Sequence, residues 1–353
     1  METAVGINGM GRIGRLIFRR AFGPDAPDGL RVTAVNSIHP AETVAHLLKY
    51  DSVHGTWGAD VRTDGPNLVV DGRPVRVFNR QNPAEIEWSE AGVDIVIEAT
   101  GKFLDRNAVS SHLRSGVSRV VVTAPGKSLD LTVVMGVNET AYDPSRHVLL
   151  SASSCTTTCA ATVLAVLDRA FGVRGAWVTT VHSYTSDQRH LDNPHKDLRR
   201  ARACTLSIVP TSTGIGRSLA DVLPHLASSV RGIAVRVPTP DVSLVDMTVT
   251  LTHVVDADDI RAAFREASGG RWSRYVGYTD LPLVSADFIG NDKSAVIDGA
   301  SVETVGDQAK ILAWYDNEWG YACRVLDLVR YISDLQPERR ECACTSGSSN
   351  SEH

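Results

Sequence analysis

The chain has 353 residues, with 36 basic and 41 acidic side chains and a net charge of -5. That length outgrows a single core and predicts two domains, and the charge balance offers no global basic field for nucleic acid or an anionic membrane surface. No window approaches ~18 uncharged apolar residues, no charged and apolar leader precedes the first strand, and the six cysteines show no metal-site spacing, so a soluble cytoplasmic protein with reduced thiols and no bound metal is expected.

Short apolar runs at 4–8, 32–36, 94–99 and 119–123, separated by helix-length connections, predict the parallel βαβ units of a doubly wound, Rossmann-type sheet. From about residue 174 the strands lengthen and alternate, as at 232–238 and 243–253, which suits a mostly antiparallel sheet with one face covered. The expected organisation is a dinucleotide-binding α/β domain over 1–153, rejoined by a return helix at about 318–335, and an α+β catalytic domain over 154–317. The polar stretch 338–353 is expected to be a disordered tail, and its Cys342 and Cys344 an inert pair rather than a redox switch.

Gly9-Met10-Gly11-Arg12-Ile13-Gly14 directly follows the first strand and opens a helical run at 15–22. Glycines there let the backbone approach a pyrophosphate, which the free N–H groups of the helix start then bind. An acidic residue at the end of the second strand would accept the ribose 2′-hydroxyl of NAD, yet that strand ends Asn36-Ser37. With no carboxylate to repel a 2′-phosphate, NADP becomes admissible.

Ser153-Ser154-Cys155-Thr156-Thr157-Thr158-Cys159 precedes an apolar-periodic run at 160–171 and reads as a helix start. Cys155 is thereby expected at the positive end of a helix dipole, where a thiol moves toward thiolate. A β-branched run at 176–181 delivers His182 at its end, and a nearby imidazole lowers the thiol further. The competing reading of Cys155, an inert buried thiol, suits its polar, small-residue setting poorly.

Farther on, residues 183–188, 195–202 and 210–214 gather hydroxyls, guanidinium groups and a turn glycine, the chemistry of phosphate capture. Arg236, a charge inside the apolar strand Val235-Arg236-Val237, needs an anion, either a structural carboxylate or a substrate. The basic cluster at 196–202 also reads as a solvated or intersubunit salt-bridged loop, and His190, His195 and His225 receive no role.

Taken together, Gly6 to Arg15, Glu98-Ala99-Thr100-Gly101, Ser154-Cys155-Thr156-Thr157, Pro194 to Arg202, Arg236-Val237-Pro238-Thr239-Pro240 and Trp314-Tyr315-Asp316-Asn317-Glu318 closely resemble the phosphorylating glyceraldehyde-3-phosphate dehydrogenase family over about residues 4–333. The resemblance implies Cys155 as nucleophile and His182 as its base. It implies one phosphate site at Thr185, Asp187 and Arg236, and a second, for inorganic phosphate, at Ser154, Thr156, Thr213, Gly214 and Arg199. For the cofactor it implies Asn8, Gly9, Gly11, Thr100, Gly101 and Tyr321 around the dinucleotide, Arg12 and Ile13 at the pyrophosphate, Arg80 and Thr123 on the adenine and ribose side, and Asn317 at the nicotinamide carboxamide. The substrates implied are glyceraldehyde 3-phosphate and inorganic phosphate, and the loop 183–204 implies a homotetramer.

Four positions depart from the family pattern. Ser37 replaces the acidic ribose ligand and Asn193 a leucine of NAD-specific members, as in the NADP-using anabolic bacterial branch, although Pro194 keeps the NAD-type residue. NADP use with NAD tolerated is therefore expected. Thr158 replaces an asparagine and Met10 a phenylalanine, changes that fit neutral drift or an isoenzyme tolerant of an electrophilic inhibitor. An erythrose-4-phosphate dehydrogenase is the alternative enzyme, disfavoured by Pro194-His195-Lys196-Asp197 and Pro210 to Gly214. A non-enzymatic scaffold is disfavoured by the intact Cys155 and His182.

Overall fold

The computed structural model describes residues 2–336, so the tail with Cys342 and Cys344 lies outside the described residues. The first sheet comprises β1 (Thr3–Asn8), β2 (Leu30–Asn36), β3 (Val61–Asp64), β4 (Asn67–Val70), β5 (Arg73–Phe78), β6 (Ile95–Glu98), β7 (Arg119–Val122), β8 (Leu131–Thr132) and β9 (Leu149–Ser151). Its order is β3-β4-β5-β2-β1-β6-β7-β9-β8. From β5 to β8 every pair is parallel, and the central strands are buried on both faces, hence their unbroken Val and Ile runs. The antiparallel β3-β4-β5 meander at the edge escaped the sequence pattern because its strands are short and half exposed.

Helices α1 (Arg12–Phe22), α2 (Ala41–Lys49) and α3 (Arg106–Ser110) belong to this half. The order of connections reverses at β1, which pairs with β2 on one side and β6 on the other. That register aligns the strand ends Asn36, Asn8 and Glu98 side by side, at the switch point where a doubly wound sheet opens a crevice.

The second sheet contains β10 (Val173–Ser183), β11 (Val209–Thr211), β12 (Val230–Val237), β13 (Ser243–Leu251), β14 (Val276–Thr279), β15 (Ala295–Asp298), β16 (Glu303–Val305) and β17 (Gln308–Tyr315). It runs β11-β12-β10-β13-β17-β15-β14, with β16 on β17. Most pairs are antiparallel, but β10–β12 and β14–β15 are parallel. One face is covered by α4 (Cys155–Phe171), whose Val163, Leu164 and Leu167 pack with Val178, Met247 and Ile311 in a single core shared with α5 (Ile215–Val222) and α6 (Ala257–Gly269). Each such fully buried aliphatic side chain contributes about 1.5 to 3 kcal/mol.

The C-terminal helix α7 (Trp319–Asp334) buries Tyr321, Val325, Leu328 and Val329 against Leu16 and Ile17 of α1, in the core of the first sheet. Among the described residues Cys155, Cys159, Cys204 and Cys323 are all free, and no helix is long and apolar enough to cross a membrane.

Candidate active site

The nucleophile stands at the first turn of α4. Ser154 is the cap residue, its Oγ accepting the Thr157 N–H at 3.2 Å, and Ser153 before it holds φ +60° in the left-handed region. A non-glycine residue there is strained, and the turn it makes brings Cys155 out at the helix start. Opposite, β10 carries His182, with Nε2 at 3.6 Å from Cys155 Sγ. The parallel register of β10 and β12 sets His182 directly beside Arg236, whose Nη1 lies 2.8 Å from His182 Nδ1 and donates to Ser183 O at 2.9 Å. Nδ1 is itself 2.7 Å from Ser183 O, so ring and guanidinium compete for one carbonyl. With a proton on Nδ1, Nε2 is a free base toward the thiol; with Nδ1 accepting from Arg236, it is not.

The electrostatics correct the sequence expectation of a thiol already lowered toward neutrality. Burial pushes the Cys155 thiol above its ordinary value, against the Arg236 charge and hydrogen bonding from Thr156. Burial and the adjacent Arg236 charge pull the His182 imidazole down to about 3. The resting pair is a thiol and a neutral imidazole, because the low-dielectric setting opposes both charged forms. Below the pair, the Tyr315 hydroxyl lies 2.9 Å from both Thr156 Oγ1 and Thr180 Oγ1, and fixes the second residue of α4.

A cavity of about 660 Å³ holds Cys155, His182, Ser154, Thr185, Asp187 and Arg236 together with Arg12, Ile13, Thr100, Gly101, Thr123, Asn317 and Tyr321. Of the two anions open for Arg236, a structural carboxylate is not supplied: none lies within bonding reach of its guanidinium among the described residues, and its Nε has no partner. Arg199, Thr213, Gly214 and Asn193 lie elsewhere. Arg200, not Arg199, lines the cavity and pairs with Asp187, while Arg199 is exposed and donates to Pro210 O at 3.2 Å. Thr213 and Gly214 precede α5, with Gly214 as its cap, outside the cavity lining. Asn193 is exposed on the 184–208 loop, its N–H bonded to Ala201 O, and touches no cofactor cavity of its own chain.

A second cavity, about 510 Å³, opens at the ends of β1, β2 and β6 and shares Gly11, Ala99 and Thr100 with the first. Asn8, Gly9, Ser37 and Arg80 line it, as do Arg15 and Lys102; no carboxylate does. Gly9 has φ +100°, and a Cβ on Gly14 would strike the Gly9 carbonyl, so these positions require glycine. The two joined cavities, the bare glycine turn and the first turn of α1 fit a dinucleotide. Arg12 departs from a simple pyrophosphate contact, because its guanidinium is engaged by Asp51 and Glu318. Asn317 is fixed with Oδ1 accepting from Ser183 Oγ at 2.9 Å and Ser243 Oγ at 2.7 Å, and Tyr321 donates to Ser153 O at 3.1 Å.

Sequence reasoning missed the buried support of the glycine turn. Trp88 Nε1 donates to His112 Nδ1 at 3.1 Å, which leaves the His112 proton on Nε2 to donate to Glu98 Oε2 at 3.0 Å. Glu98 also binds Asn8 Nδ2 and accepts the Thr100 N–H at 2.8 Å. The signal was a Glu closing an apolar strand, but its partner His112 is remote in sequence. A further cavity, about 970 Å³, lies along α7 among Arg20, Arg274, Asp327 and Arg330, without Cys155 or His182 in its lining, and several of its charges are mutually paired.

Residues 3–106 match the model of the glyceraldehyde 3-phosphate dehydrogenase NAD binding domain, and residues 154–317 that of the glyceraldehyde 3-phosphate dehydrogenase C-terminal domain. The chain is 48% identical over 334 residues to glyceraldehyde-3-phosphate dehydrogenase 2 of Bacillus subtilis, covering 94% of this chain and 97% of that protein. It is also 48% identical to the Geobacillus stearothermophilus glyceraldehyde-3-phosphate dehydrogenase, over 94% and 99% of the two chains, and 44% identical to that of Streptomyces coelicolor, over 95% and 99%. With a thiol–imidazole pair joined to a dinucleotide crevice and relatives matched along nearly their whole length, the chain belongs to the glyceraldehyde 3-phosphate dehydrogenase family.

Proposed function

We propose that this protein is an NAD(P)-dependent oxidoreductase that converts glyceraldehyde 3-phosphate and inorganic phosphate to 1,3-bisphosphoglycerate through a thioester on Cys155. The observation that carries this reading is Cys155 Sγ 3.6 Å from His182 Nε2, inside a cavity continuous with the glycine-turn crevice. Asn8, Gly9, Gly11, Ile13, Arg80, Thr100, Gly101, Thr123, Asn317 and Tyr321 hold the cofactor, which supplies the hydride acceptor when bound.

The chain's own groups do the rest. An anionic phosphate on the substrate, held by Arg236, Thr185 and Arg200, draws the guanidinium charge away from His182 Nδ1 and leaves Nε2 free to accept the thiol proton. Sulfur bonds to the aldehyde carbon, Nε2 passes the proton to the new oxygen, and takes it back as the carbon is oxidised to the thioester. The Cys155 N–H, at the helix start, faces the developing oxygen charge. Inorganic phosphate, admitted where Ser154 lines the cavity beside Cys155, then attacks the thioester carbon. The C–S bond breaks and Cys155 leaves as thiolate, reprotonated through His182.

NADP use supports assignment to the anabolic bacterial branch, since Ser37 and three cations line the 510 Å³ cavity without a carboxylate. Leu191, Leu198, Leu206 and Ile208 of the 184–208 loop are all strongly exposed on one chain, which supports a homotetramer that covers them. The reading includes a cytoplasmic location. Its test is the initial rate with glyceraldehyde 3-phosphate and each cofactor, with and without phosphate, alongside Cys155→Ser. Phosphate-dependent activity lost in the variant is expected; activity that persists in the variant overturns the assignment.

A further inference from the structure

Three side chains from distant parts of the sequence converge where the two sheets meet: His54 from the turn after α2, Asp241 from the turn between β12 and β13, and Glu318 at the cap of α7. His54 Nε2 lies 3.5 Å from Asp241 Oδ2 and 3.4 Å from Glu318 Oε2, and one donor atom from each lies within 4.8 Å of the others. These are poor hydrogen bonds. Among the described residues His54 Nε2 and both Asp241 oxygens have no hydrogen-bond partner, although Asp241 is only 1% exposed. Unpaired buried polar atoms are costly, so a converging set of them calls for a missing partner.

Charge and spacing both identify that partner as a cation. Arg12 serves Asp51 and Glu318 together, while Asp316 already accepts N–H groups from Gly290, Glu318 and Trp319. A tetrahedral centre with nitrogen and oxygen ligands at about 2.0 Å sets its ligand atoms about 3.3 Å apart. The two measured separations match edges of that shell. The tilted stack of His54 on Trp319, with ring centres 6.0 Å apart, orients the ring.

We propose that His54, Asp241 and Glu318 form a site for one divalent transition-metal ion of the zinc or cobalt class. One imidazole and two carboxylates are a donor set that such ions accept. The ion shares Glu318 with Arg12, whose Nε donates to Oε1 at 2.9 Å and whose Nη2 donates to Oε2, and ties the turn after α2 to the start of α7. Because Asn317 directly precedes Glu318, occupancy stiffens the nicotinamide end of the cofactor crevice.

The test uses full-length Cys155→Ser protein, stripped with a chelator, so that the thiol and His182 do not form a rival site. Titration with Co²⁺ is expected to give one equivalent per chain with d–d absorption and no sulfur-to-cobalt band, with affinity at least tenfold weaker after His54→Gln and after Asp241→Asn. No saturable uptake up to millimolar Co²⁺, or affinity unchanged in both variants, overturns the proposal. Should the variants fail to fold, anomalous scattering at the cobalt edge from soaked crystals of the Cys155→Ser protein decides: a peak between His54 and Asp241 supports the site, and a peak elsewhere or none overturns it.

Discussion

Replacing Ser37 by aspartate tests the cofactor reading at the one place where the crevice departs from an NAD-type pattern. Ser37 is buried at the end of β2, its N–H donating to Phe78 O at 3.0 Å and its Oγ accepting the His39 N–H at 3.1 Å. An aspartate oxygen can accept the same His39 N–H, so the turn survives the change. A unit charge pair at 4 Å is worth about 1 kcal/mol in water and about 4 at an effective dielectric of 20. A 2′-phosphate carries about two charges, and Arg80, Lys102 and solvent screen it, which places the repulsion near ~2–3 kcal/mol. That corresponds to a roughly 30- to 150-fold lower kcat/KM with NADP. A carboxylate accepting the ribose hydroxyls of NAD gains ~1 kcal/mol after desolvation, so the NADP-to-NAD ratio of kcat/KM should fall by about two to three decades. Initial rates with glyceraldehyde 3-phosphate, phosphate and each cofactor measure it. A ratio within threefold of the parent, in a variant with unchanged melting behaviour, would refute the placement of the 2′-phosphate beside residue 37.

Three further outcomes are expected. Tyr315→Phe strands the buried Thr156 and Thr180 hydroxyls and should lower unfolding free energy by about 1–3 kcal/mol at unchanged urea m-value, a loss below ~0.5 kcal/mol counting against the bridge. His182 titrates at about 3 in the folded chain and near 6.5 when unfolded, so the unfolded state binds the extra proton between these values and stability falls as pH drops through that window. His182→Asn should therefore lose roughly 1–2 kcal/mol less than the parent between pH 7 and 5, and parallel urea curves would contradict a neutral buried imidazole. Thr158 shares a small cavity with Cys155 one helical turn away, and Thr158→Asn brings an amide donor toward sulfur; iodoacetamide should then alkylate Cys155 several-fold faster, whereas equal rates dispose of electrophile tolerance at this position.

The parts of this molecule legible in its sequence are those governed by local pattern. The apolar runs of β1, β2, β6 and β7, the glycine turn and the Ser154 cap each depend on neighbours within a few residues, and each forms where the pattern puts it. The return of α7 was readable because its apolar stripe is strong, and its start at Trp319, beside the expected 318, is anchored by Asp316 Oδ1, which accepts the Glu318 and Trp319 N–H groups. What sequence could not supply is register. His182 and Arg236 are 54 positions apart, and only the parallel pairing of β10 with β12 makes them neighbours. The same holds for Arg200 against Arg199, where one residue of loop geometry decides which guanidinium meets Asp187.

That register also bears on why the nucleophile rests uncharged. A helix start and an adjacent imidazole both favour a thiolate, yet they act at the surface of a buried pair, and the strongest fixed charge nearby, Arg236, sits against the base rather than only against the sulfur. The arrangement stabilises a thiolate and opposes an imidazolium with one guanidinium, so proton transfer within the pair gains little while Arg236 is free. An anion that binds the guanidinium removes the penalty on His182 and lets Nδ1 take the Ser183 carbonyl alone. In the proposed reaction that anion arrives on the substrate itself, so the binding of its phosphate and the arming of Cys155 are one electrostatic event, and an aldehyde lacking the phosphate meets a thiol that its own enzyme has left protonated.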